Sequence, residues 1–144
     1  MTTDDVEDIL QRARSVHSAG DLAGAAAIYE QLIAAAPARP EGYVNLGRLK
    51  QDQDDLDGAA ALYRQAIAAA PDSALAHLNL GVILVRHGDE SAAAAAFKQA
   101  LQLDPALAPA HFNLAGVYQR EGRLNEALSQ LDALLTDNPG DLSA

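Results

Sequence analysis

The 144-residue chain contains no cysteine and no tryptophan, and aromatic residues make up only 4% of it. Without cysteine there is no disulfide, no thiolate metal site and no cysteine nucleophile, which suits a reducing compartment and points to the cytoplasm. Basic residues are scarce too: ten Lys and Arg against twenty Asp and Glu give a formal charge of −10. Such a chain repels phosphate backbones and anionic lipid, so neither nucleic acid nor a membrane is the expected partner. No run approaches the roughly 20 apolar residues that span a bilayer. The start, MTTDDVEDIL, carries acids where a secretory leader needs basic residues. No Gly-rich phosphate loop is present, and no serine, histidine and carboxylate stand in an order suited to nucleophilic catalysis. Neither a cofactor nor catalysis by this chain is expected.

What the chain does have is alanine and a period. Pro37, Pro71, Pro105 and Pro139 are each 34 residues apart. The same interval relates Ala25, Ala59, Ala93 and Ala127, then Tyr29, Tyr63, Phe97 and Leu131, then Gly20, Asp54, Gly88 and Gly122. Leu46, Leu80 and Leu114 form a further series, beside the small residues Ala13, Gly47, Gly81 and Ala115. A fixed period of this length is the mark of a repeat architecture. Four units follow, 6–39, 40–73, 74–107 and 108–141, between a tail at 1–5 and one at 142–144. Each reads as two helices. The first, as in AHLNLGVILVRHG, stops at a glycine suited to the left-handed helix end, and the second ends before a proline that cannot continue it.

This set of residues resembles the tetratricopeptide repeat: Leu and a small residue in the first helix, Gly at the turn, Ala and then an aromatic in the second helix, Pro at the end. The resemblance covers nearly the whole chain and implies an all-α fold, a right-handed superhelical solenoid of four helix-turn-helix repeats with a concave inner surface. A repeat cannot bury its apolar face alone, so stacking supplies the core. The small residues at Gly47 and Gly81 let paired helices approach to about 8–10 Å.

The family's pattern implies which side chains line that inner surface. Its fifth positions are Leu10, Val44, Leu78 and Phe112, an apolar row; its sixth are Gln11, Asn45, Asn79 and Asn113, an amide row. Arg14 and Arg48 at the ninth positions, and Arg86 and Arg120 at the thirteenth, put four of the ten basic residues on this surface, against three of twenty acids (Glu7, Glu41 and Asp52). The surface is thus about +1 on a −10 chain, which favours a partner with acidic side chains. An amide both donates and accepts, so the Asn row suits the backbone of an extended peptide whatever its sequence. The row resembles the asparagine ladder of O-linked N-acetylglucosamine transferases. The family's two-carboxylate clamp for chaperone tails needs Lys and Asn where this chain has Leu10 and Arg14, which argues against that ligand.

Other features carry less. His17, His77, His87 and His111 lack the i, i+4 pairing of a metal site, and His77 and His111 occupy a position that packs between helices. The run DQDDLD at 52–57 lacks the ligand order of a calcium loop and reads as a turn capping the next helix. Leu128 and Leu135 on the last helix lack an evident neighbour. Either more chain follows in a longer protein, or this end pairs with a second copy as a homodimer. The expected function is a protein-interaction scaffold that takes an extended peptide. The alternative is the substrate-recruiting arm of a larger peptide-modifying transferase or hydroxylase.

Overall fold

The computed structural model describes residues 1–137, and these hold eight α-helices and no strand. They are α1 (Thr3–Ser18), α2 (Leu22–Ala35), α3 (Glu41–Asp52), α4 (Leu56–Ala69), α5 (Ala74–Arg86), α6 (Glu90–Leu103), α7 (Ala108–Arg120) and α8 (Leu124–Asp137). The helix-turn-helix pairing expected from the 34-residue period is present in all four units. α1 begins at Thr3, inside the expected tail, because Thr2 and Asp5 form a reciprocal capping box: Asp5 N donates to Thr2 Oγ1 at 3.1 Å and Thr2 N to Asp5 Oδ2 at 2.7 Å. Pro139, the last residues of the fourth unit and the 142–144 tail lie outside the described residues.

Sequence dictates where the second helices start. Asp21, Asp55 and Asp89 each accept from the backbone N–H three residues on, at 2.8, 3.0 and 3.2 Å, which satisfies one donor that the first helical turn leaves open. Just before each cap the chain reverses through a left-handed residue. Gly20, Gly88 and Gly122 take φ of +88°, +80° and +76°, and in the second unit Asp54 is forced into the same region at 62°. A residue with a Cβ is disfavoured there.

The helices form two compact units, Met1–Pro71 and a second that begins at Asp72. In the first, α1 packs on α2, α2 on α3 and α3 on α4; in the second, α5 packs on α6, α6 on α7 and α7 on α8, with α5 also meeting α7. The first has a core built from Val6, Ala13, Ala25, Tyr29, Leu32 and Leu49 among others, the second from Ala93, Phe97, Ala110, Leu114, Val117 and neighbours. Alanine is abundant because it occupies these crossings, where a larger side chain would hold the helices apart. The close approach is tightest at Gly47 and Gly81, where an added Cβ would lie 2.5 Å from the rings of Tyr63 and Phe97. Both rings are fully buried, each contributing about 2–3 kcal/mol of apolar transfer.

Candidate functional site

The amide row sits on the first helices. Asn45 Nδ2 donates to Glu41 O at 2.8 Å and Asn113 Nδ2 to Pro109 O at 2.7 Å, each one turn back on its own helix. This bond orients the side chain and consumes one of its two amide protons, leaving the other and the oxygen. Asn79 differs: its amide nitrogen is buried and has no hydrogen-bond partner. Gln11 is exposed and accepts from Arg14 Nη2 at 3.3 Å.

The expected apolar row does not form as such. Leu10, Val44 and Leu78 are only 5%, 4% and 5% exposed and belong to the core, so they are withdrawn as peptide contacts. Phe112 is the exception at 68% exposure. The difference is one of cover. Leu78 on α5 joins a cluster with Ala110 and Leu114 of α7, whereas among the described residues no helix packs on the far side of α7 to cover Phe112 in the same way.

Phe112 and Asn113 line a cleft of about 310 Å³ in the second unit, with Val85, Gly116, Gln119, Arg120 and Leu131. Its lining combines the apolar Val85, Phe112 and Leu131 with the polar Asn113, Gln119 and Arg120. The Arg120 guanidinium donates from Nε to Glu90 Oε1 at 2.8 Å and from Nη2 to Glu90 Oε2 at 3.1 Å, and these bonds push its pKa further up. A fixed, half-exposed ion pair of this kind is worth little in stability. What it does is orient Arg120 and reduce the free positive charge expected of it.

A second cleft, about 140 Å³, lies in the first unit, lined by Arg14, His17, Tyr29, Asn45, Arg48 and Asp52 with Leu49. Arg14 Nη2 is shared between Glu7 Oε1, at 2.6 Å, and Gln11. His17 Nε2 stands 3.9 Å from Asp52 Oδ2. Arg48 is exposed and has no ion pair among the described residues. Tyr29 enters from α2 and is 2% exposed. Burial raises its pKa, while the nearby Arg14 and Arg48 guanidiniums pull the other way. Sequence reasoning missed this side chain, because its column in the repeat reads as a ring that fills space. Arg86, at the end of α5, is exposed and lines neither cleft.

Helix pairs repeated at one 34-residue interval define an all-α helical-repeat protein. The chain belongs to the tetratricopeptide repeat family, whose sequence profiles match residues 44–108 and 84–144. Among solved structures, MamA is similar over 96% of this chain and 81% of its own, at 20% identity and a TM-score of 0.81. YrrB, a repeat protein of this family with an unusual peptide-binding site, is similar over 92% of this chain and 68% of its own, at 23% identity and a TM-score of 0.73. An O-GlcNAc transferase of Thermobaculum terrenum is similar over 82% of this chain but 23% of its own, at 30% identity and a TM-score of 0.69. Among curated proteins no sequence matches. No helix of the described residues is long and apolar enough to cross a membrane.

Proposed function

We propose that this chain is a non-enzymatic interaction module that holds an extended segment of a partner protein against its first helices. The observation that carries the reading is Phe112 beside Asn113. A large aromatic side chain is left exposed next to an oriented amide, in a cleft of a size to take one or two side chains. In this reading Phe112 and Leu131 meet an apolar side chain in the second unit, where Asn113 bonds the partner's backbone and Asn79 offers its oxygen. Asn45 bonds backbone in the first unit, and the arginines favour acidic residues. The peptide-binding site of YrrB supports the class of ligand. The proposed setting is the cytoplasm.

Selection from a random peptide library displayed on phage tests this. Enriched peptides should lose about tenfold in affinity to Phe112→Ala and Asn113→Ala, the scale of one anchor or one hydrogen bond. A library that yields no binder sinks the reading.

A second reading has its own observation. The likeness to the T. terrenum O-GlcNAc transferase favours a substrate-recruiting arm of a peptide-modifying enzyme, a transferase or a hydroxylase. The full gene decides it: a reading frame with no catalytic domain removes this alternative. Leu124, Leu128 and Leu135, 60%, 58% and 46% exposed on α8, favour in addition a homodimer through that helix. Sedimentation that stays monomeric as concentration rises removes the dimer.

A further inference from the structure

The repeats provide an internal control for the cleft of the first unit. Tyr29 and Tyr63 hold the same place in successive repeats, and both are buried. Tyr63 has a partner: its hydroxyl donates to Gln51 Oε1 at 3.0 Å. In the preceding repeat the place of Gln51 is taken by His17, and the Tyr29 hydroxyl has no hydrogen-bond partner among the described residues. The Tyr29 ring is 2% exposed, yet its hydroxyl is not shut off from solvent and opens to the cleft with its proton free to be given. Around Tyr29 stand the guanidiniums of Arg14 and Arg48, one of them without an ion pair, and guanidiniums only donate. Three groups with protons to give therefore converge, and the cleft's one carboxylate, Asp52, sits at its rim with its side chain 64% exposed.

We propose that this cleft is a receptor for one side-chain carboxylate, an Asp or Glu of the bound segment, with Arg48 and the Tyr29 hydroxyl as its donors and Arg14 as the supporting charge. The proposal rests on the peptide-binding reading above and assigns its acidic preference to one place. Charge selects the ligand. Arg14 is already held by Glu7 at 2.6 Å, so Arg48 is the guanidinium of the lining with no ion pair, a single positive charge that a carboxylate neutralises and a phosphate dianion overshoots. The volume, about 140 Å³, suits a carboxylate with the first carbons of its side chain. The specificity lies in Tyr29 rather than in the arginines, because a guanidinium reaches any anion, whereas a hydroxyl carried on a buried ring offers its proton at one point of the lining.

Two measurements on the intact chain test this. In the first, N-acetyl-glutamate amide, N-acetyl-glutamine amide and inorganic phosphate are each titrated into labelled protein while the Arg Nε–H resonances are followed by NMR. The blocked glutamate should shift Arg48 saturably, and the other two should bind at least about tenfold more weakly. Tyr29→Phe, which keeps the buried ring, and Arg48→Gln, at an exposed position, should each weaken the glutamate about tenfold. Tyr63→Phe, whose hydroxyl is already engaged, should leave it unchanged. Equal binding of glutamine amide, tighter binding of phosphate, or an unaltered Tyr29→Phe overturns the assignment. In the second, the peptide library is selected in parallel on wild type and Tyr29→Phe. An acidic position enriched by wild type and lost in the variant supports the receptor. Binders with no acidic position overturn it while leaving the peptide reading intact, and an absence of binders overturns both.

Discussion

The Tyr63 hydroxyl donates to Gln51 Oε1 at 3.0 Å, joining α4 to α3 at a point where the ring is fully buried. Burial raises the Tyr63 pKa from its ordinary value of 10 to about 12. A group held neutral in this way stabilises the fold fully below pH 10, and the contribution is lost as pH rises toward 12, about 3 kcal/mol in all. Urea denaturation should show wild type losing stability between neutral pH and about pH 11, with a visibly smaller loss in Tyr63→Phe. Parallel slopes for the two proteins would mean that Tyr63 is not the group responsible.

Gly81 faces the Phe97 ring so closely that the added Cβ of Gly81→Ala would lie 2.5 Å from it, and Phe97 is fully buried. Overpacking costs about 1–3 kcal/mol, and the better helix propensity of alanine offsets about 1. The variant should be less stable by about 1 kcal/mol, read as a lower urea midpoint.

Asp54 takes the left-handed conformation that three glycines take elsewhere in the period. Its backbone N–H donates to Gln51 O at 3.0 Å, a bond that does not depend on the side chain. Asp54→Gly should therefore stabilise the chain by about 0.5–1 kcal/mol. A variant less stable than wild type would show that the carboxylate contributes more than the strain costs.

Leu78 and Phe112 occupy the same column of the repeat, and the structure separates them by cover. Leu78→Ala should cost about 2–5 kcal/mol in stability, whereas Phe112→Ala should leave the denaturation midpoint nearly unchanged and act on peptide affinity alone. Circular dichroism melts of the two variants, run beside a peptide titration, check both halves.

The contrast between those two positions also shows how far the sequence could be read. Spacing alone placed all eight helices, their glycine turns and the small residues at the crossings, because each follows from local backbone rules repeated four times. Spacing could also nominate the column that holds Leu10, Val44, Leu78 and Phe112. It could not tell which members are covered, since that depends on which helix packs alongside. Tyr29 was illegible for a related reason. Whether its hydroxyl is engaged depends on the residue across from it, Gln51 in one repeat and His17 in the other, and that is a tertiary relation. Arg14, Arg48, Arg86 and Arg120 lie on the first helices, where their spacing puts them. That Glu7 and Glu90 hold Arg14 and Arg120 is not legible in spacing, because each pairing depends on side-chain reach and on which helix lies alongside.

The aspartate caps of α2, α4 and α6 have no counterpart in the last repeat, where position 123 is arginine. Arg123 there donates to Glu121 and Glu126 and lies over the Tyr118 ring, 4.4 Å from its centre. A cap is a short hydrogen bond to the backbone, little affected by dissolved ions, while exposed charge pairs are screened within about 10 Å at 0.1 M salt. Ionic strength therefore acts unevenly along the chain. Raising it should speed hydrogen exchange at the start of α8 while the starts of α2, α4 and α6 hold, so that salt loosens the fourth repeat before the other three.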